Sequence, residues 1–149
     1  MALVGVVIGS KSDEDQIKPA LDMLRELGVT YEFSVISAHR TPEKAREYAS
    51  SAAERGIEVL IGGAGKAAHL PGVLASWTIL PVIGIPLVSG DMAGLDALLS
   101  IVQMPSGVPV GCMSIGGAKN AAVFAAGILA LKYDSIKQAI LAYRKKLSE

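Results

Sequence analysis

Three short segments gather most of the reactive side chains of this sequence among glycine, alanine and serine. They are Gly9-Ser10-Lys11-Ser12-Asp13, Ser37-Ala38-His39-Arg40-Thr41-Pro42 and Gly63-Ala64-Gly65-Lys66-Ala67-Ala68-His69-Leu70-Pro71-Gly72. The chain has two histidines, His39 and His69, and both fall here. In the first segment, a glycine followed by serines at a helix start offers backbone N–H groups and hydroxyls to a phosphate. Asp13 can accept hydrogen bonds from ribose hydroxyls. The same residues also suit plain helix capping, and the Lys-Ser/Thr ending of a Walker loop is missing. In the second segment, Arg40 presents a fork for a phosphate or carboxylate. His39 brings an imidazole, a group that ordinarily titrates near neutrality and can move a proton. A hydrogen-bonded loop histidine beside a solvated arginine is the plainer alternative. In the third, small residues let a planar ligand approach the backbone, and Lys66 or His69 can meet its charge. A tight strand-to-helix turn with His69 near a helix start accounts for the same residues.

The elements that would position these segments alternate between strand and helix. Leu3 to Ile8 is a continuous apolar run, as for a strand buried on both faces. Ser12 and Asp15 form a capping-box variant, Ile17, Leu21, Leu24 and Leu27 follow at helical spacing, and Gly28 stops the helix. Tyr31 to Ile36 reads as a second strand. Thr41-Pro42 supplies an N-cap and first-turn proline for a helix to about Arg55. Glu58 to Ile61 is a third strand, before glycine-rich Gly62 to Gly65. Leu70 to Thr78 reads as helix, Val82 to Ile85 as strand, Gly94 to Val102 as helix and Val108 to Met113 as a fifth strand. Asn120 to Leu131 is a small-residue helix, and Asp134 N-caps a last helix through Leu147. The alternation predicts one α/β domain over residues 1–149: a three-layer, flavodoxin-like parallel sheet with helices on both faces. Ligands of such sheets sit beyond the carboxyl ends of the strands, where the three segments lie.

Bulk properties narrow the function. With 14 basic and 14 acidic side chains the net charge is zero, so no electrostatic footprint for nucleic acid is present. Arg144-Lys145-Lys146 are better placed to complement a helix dipole. Cys112 is the one cysteine, which excludes an intrachain disulfide and a cysteine metal cage, and its apolar setting predicts a small core residue. Asp91 and Asp96 alone do not make a metal site. No signal peptide is expected, and the location expected is the cytoplasm. Apolar residues are 51% of the chain and mean hydropathy is +0.44. Ser76, Thr78, Pro81 and Pro86 interrupt the most apolar stretch, Val73 to Val88, so a membrane span is not expected. Apolar surface buried between subunits explains the excess, and a homo-oligomer is predicted, with Trp77, Met92 and Met104 serving packing or subunit contacts.

Together the three segments resemble the signatures of the class I aminoimidazole ribonucleotide mutase family (the catalytic subunit family of phosphoribosylaminoimidazole carboxylase). Ser100-Ile101-Val102-Gln103-Met104-Pro105 with Gly107-Val108-Pro109-Val110-Gly111 is similar to a later family motif, and the resemblance covers nearly the whole chain. It implies an octamer acting on N5-carboxyaminoimidazole ribonucleotide without metal or cofactor. It implies His39 as general acid/base, Ser10 and Asp13 on the ribonucleotide and Arg40 on its phosphate. Ser12, Ser37, Ala38, Gly65, Lys66, Ala68, His69 and Leu70 complete the implied substrate site. Transient contact with the upstream carbamate-forming synthetase is a further implied partnership.

The family's animal-type branch, which carboxylates aminoimidazole ribonucleotide directly, carries lysine after the histidine and a Gly-Arg-Ser-Asn pattern in the third segment. Arg40 and Ala67-Ala68-His69-Leu70 look like the mutase branch. Lys66 stands where the family usually has glycine, and it could pair with a substrate carboxylate or fill the pocket. Gly62 stands where alanine is common, and the longer tail of some members is not seen after the last helix. Other readings are a direct carboxylase, a paralogue acting on another ribonucleotide, or a non-catalytic flavodoxin-like module holding a nucleotide or flavin. A receiver domain would need acidic residues where Gly9-Ser10 and Gly62-Gly63 stand.

Overall fold

The computed structural model describes residues 1–149. Five parallel strands form one sheet in the order β2-β1-β3-β4-β5, with β1 at Val4–Ile8, β2 at Tyr31–Val35, β3 at Val59–Ala64, β4 at Val82–Pro86 and β5 at Gly111–Cys112. The helices are α1 Glu14–Glu26, α2 Pro42–Ser51, α3 Leu70–Ser76, α4 Leu95–Val102, α5 Ala118–Leu129 and α6 Asp134–Leu147. This is the flavodoxin-like order, which reverses direction between β1 and β3.

The apolar runs are continuous because both sheet faces are covered, yet the strand period of two still sorts them. Val4, Val6 and Ile8 of β1, with Val59, Ile61, Ile83 and Ile85, join α1, α5 and α6 in one core. Val7, Leu60 and Val82 point the other way, into a second core with α2, α3 and α4. The small residues of α5, Ala118, Ala121, Ala122, Ala125 and Ala126, are all fully buried, so this helix lies close against the sheet. No helix is long and apolar enough to cross a membrane.

Several boundaries move, each for a local reason. Ser12 does not cap α1: it sits in a 3-10 turn over Lys11–Asp13, and Ser10 Oγ accepts from the Ser12 N–H at 3.3 Å. Thr41 stands at the α2 cap position, but its hydroxyl donates back to the Ser37 carbonyl at 2.8 Å. Asp134 is the first residue of α6, one past the cap position at Tyr133. β3 runs on through the glycines to Ala64, because β1 and β4 pair with it there. β5 shrinks to Gly111–Cys112, since Pro105 and Pro109 cannot donate to a ladder and Gly107 turns the chain at φ +100°. Cys112 is therefore half-buried on an edge strand, packed against the second core, and its burial pushes the thiol up, away from thiolate chemistry.

Candidate active site

Because β2 flanks β1 and β3 flanks it on the other side, the loops leaving these three strands meet above the sheet reversal. They enclose an open cleft of ≈ 270 Å³, near the lower end of the range for small-molecule sites. Ser10, Ser12 and Asp13 line it from the β1 loop, and Ser37, Ala38, His39 and Arg40 from the β2 loop. Gly65, Lys66, His69 and Leu70 come from the β3 loop. Ala68 does not join them: it is 1% exposed and packs into the α2–α4 core. Its neighbours Ala67 and His69 both line the cleft, so membership of the motif does not make every side chain a wall of it.

Each loop is built by its own side chains. Ser10 Oγ and Ser12 Oγ are 2.9 Å apart, and Asp13 N–H donates to the Ser10 carbonyl at 3.0 Å, closing the turn. Burial pushes the half-buried Asp13 carboxyl above its ordinary range, partly opposed by a hydrogen bond from the Ser10 backbone. Ser37 Oγ accepts from the Arg40 N–H at 3.1 Å, and the Ser37 carbonyl accepts from the Thr41 N–H at 2.9 Å. These bonds fold the segment into a tight turn that leaves the Arg40 side chain exposed at the cleft. The Ser37 hydroxyl still has its own proton to donate.

The histidines, 30 residues apart in sequence, meet across the cleft: His39 Nε2 and His69 Nδ1 are 2.7 Å apart. The rings are edge-on, with centroids 4.8 Å apart and planes at 87°. One proton can lie between these nitrogens, so the tautomers of the two rings are linked. His69 occupies the α3 cap position without a side-chain cap bond, its Nδ1 being directed to His39.

A fourth loop, outside the three expected segments, closes the cleft. Ser89, following β4, lines it. Gln16, in the first turn of α1, holds that loop with both ends of its amide: Nε2 donates to the Val88 carbonyl at 2.9 Å, and Oε1 accepts from the Val88 N–H at 2.8 Å. The β3 and β4 loops are in close contact, and a Cβ on Gly65 would lie 2.9 Å from Ser89 Cβ. Lys66 then turns the chain with φ +53°, in the left-handed region that glycine adopts freely.

A doubly wound sheet, a cleft at its reversal and a histidine pair set among serine hydroxyls and cationic side chains define a flavodoxin-like α/β enzyme for a small anionic substrate. More specifically, the chain belongs to the AIR carboxylase family, whose model matches residues 3–149. The N5-carboxyaminoimidazole ribonucleotide mutase of Pyrococcus horikoshii is 58% identical over 145 residues, 97% of this chain and 82% of that protein. The mutase of the same name from Saccharolobus solfataricus is 54% identical over 149 residues, 100% of this chain and 92% of that protein. The crystal structure of Treponema denticola PurE superposes with a TM-score of 0.87 at 26% identity, covering 99% of this chain and 92% of that one.

Proposed function

We propose that this enzyme is an N5-carboxyaminoimidazole ribonucleotide mutase, an isomerase of de novo purine biosynthesis on the route to IMP. It converts N5-carboxyaminoimidazole ribonucleotide to 4-carboxyaminoimidazole ribonucleotide. The observation that carries the reading is the histidine pair at 2.7 Å inside a cleft whose other polar groups suit a phosphorylated sugar. The identity of 51–58% to relatives bearing the mutase name supports the same reaction.

Ser10, Ser12 and Asp13 hold the ribose and its ester end, and Arg40, set by Ser37, takes the phosphate. Ala38, Gly65 and Leu70 flank the imidazole ring, leaving His39 to act on it. His39, as imidazolium, gives a proton to the exocyclic nitrogen. The nitrogen–carboxyl bond breaks and carbon dioxide leaves with no net change in charge at that nitrogen. Held in the small-walled cleft, carbon dioxide is attacked by the nucleophilic ring carbon, forming the carbon–carbon bond. Neutral His39 then removes the ring proton and regains its starting state. His69, bonded to the Nε2 edge, fixes the orientation of His39 and shares the proton left on that edge.

Direct carboxylation of aminoimidazole ribonucleotide is the second reading, favoured by the description of the matching family model as AIR carboxylase. It would use the same ring-carbon step without the prior decarboxylation. We place the enzyme in the cytoplasm, as a homo-octamer, with the upstream carbamate-forming synthetase as a transient partner. Assembly is supported by the outward face of α4, where Leu95, Leu99 and Val102 are each 46–48% exposed at helical spacing, beside exposed Met92. A monomer in light scattering at micromolar concentration would remove that support.

A paired assay tests the reaction. One arm supplies N5-carboxyaminoimidazole ribonucleotide, the other aminoimidazole ribonucleotide with excess bicarbonate, and both follow 4-carboxyaminoimidazole ribonucleotide. Conversion in the first arm alone is expected. Turnover confined to the second would make the enzyme a direct carboxylase, and none in either would exclude both reactions.

A further inference from the structure

Lys66 occupies a backbone conformation that disfavours an L-residue, with φ +53°. Glycine would be accommodated there without strain. A strained residue retained at the wall of a cleft is a reason to ask what its side chain does. The stem runs toward the loop after β4: a Cβ on Gly90 would lie 2.9 Å from Lys66 Cε and 3.8 Å from Lys66 Nζ. Gly90 itself has φ +65°, so two left-handed residues from neighbouring loops let the lysine lie across the β4 side of the cleft. Gln16 holds that same loop in place through Val88.

The charges complete the case. The four ion pairs of the protein are Arg25–Asp22, Arg46–Glu43, Arg55–Glu32 and Lys132–Glu58, all away from the cleft. Arg40 and Lys66 are the lysine and arginine side chains that line it, and neither has a carboxylate within 4.0 Å. Arg40 enters from the β2 loop, at one end of the strand order, and Lys66 lies against the β4 loop, toward the other. Two unpaired cations entering from different sides suit a ligand with two separate anionic groups.

We infer that Lys66 is a specificity-determining residue whose ammonium holds the carboxylate of the ribonucleotide while Arg40 holds its phosphate, an inference that rests on the function proposed above. The lysine then favours the carboxylated ribonucleotides over the decarboxylated one, and it keeps the migrating group close to the ring carbon during transfer. Its charge, and not its stem, is what matters.

Calorimetric binding of 4-carboxyaminoimidazole ribonucleotide and of aminoimidazole ribonucleotide to the wild type, Lys66→Met and Lys66→Arg tests this. The wild type should prefer the carboxylated ligand by about tenfold or more, as for a charge-assisted contact. Lys66→Met should lose that preference while binding aminoimidazole ribonucleotide as before, and Lys66→Arg should restore most of it. A preference unchanged in Lys66→Met, or equal weakening of both ligands, would overturn the assignment. Binding of neither ligand by the wild type would instead sink the function on which it depends.

Discussion

His39 Nε2 lies 2.7 Å from His69 Nδ1, joining the loop after β2 to the loop after β3 above the end of β1. The contact divides the labour between the rings. His39 has its Nδ1 edge free of the partner ring, whereas His69 is the neighbour that sets which nitrogen of His39 carries a proton. His39→Asn should therefore keep ribonucleotide binding and lower kcat by about 10²–10⁴, the range for removing a general acid/base. His69→Asn should cost less and should alter the shape of the pH–rate profile. Near-normal turnover by His39→Asn would exclude it as the proton carrier, and a larger loss from His69→Asn than from His39→Asn would exchange the two roles.

Arg40 is the cation fixed by the Ser37 turn, so its truncation should act on binding before chemistry. Arg40→Ala should raise KM by roughly ten- to a hundredfold, the scale of a lost charge-assisted hydrogen bond, with a smaller change in kcat. The dephosphorylated ribonucleoside provides the control. It should bind wild type and variant alike, and a variant that weakens it as much as the ribonucleotide would take the phosphate away from Arg40.

Gln16 makes its two hydrogen bonds to Val88 across 72 positions of sequence. It does not line the cleft itself, so it acts by holding the loop that carries Ser89 and underlies Lys66. Gln16→Ala should leave the fold intact and weaken substrate binding several-fold. Faster amide exchange confined to residues 88–92 should accompany it. Weaker binding with unchanged exchange in that loop would mean that Gln16 acts by another route.

These cases show which parts of the site the sequence could carry. The cleft was legible because Leu3 to Ile8 announces a doubly buried strand, and because serine, histidine and arginine cluster directly after apolar runs. A glutamine in the first turn of a helix, by contrast, looks like any solvated residue, and only the folded chain brings Val88 to it. The His39–His69 contact depends on β1 lying between β2 and β3, a topological fact absent from either loop alone. Ala68 misleads for the opposite reason, since it belongs to a recognisable motif yet turns into the core. Val108 to Met113 looks long enough for a strand, but the edge position leaves only Gly111 and Cys112 with a partner in register.

Asp13 sets stability against function. Burial raises its carboxyl above the ordinary 3.8, so between that value and the folded-state value the folded protein holds more protons than the unfolded chain. Its favourable contribution is thus complete below about 3.8 and is lost as pH rises through the folded-state value. At neutral pH the enzyme bears the cost of keeping this charge half-buried at the cleft, a cost that accepting ribose hydroxyls would repay when substrate binds. Asp13→Asn should therefore melt above the wild type at pH 7, with the gap closing as pH falls through the folded-state value and gone below about 3.8. The same variant should bind the ribonucleotide more weakly, because an amide oxygen accepts less strongly than a carboxylate. Thermal melts from pH 3 to 8 with and without ribonucleotide read both effects. A variant no more stable than the wild type at pH 7 would remove the burial cost, and undiminished ligand stabilisation would remove Asp13 from the ribose.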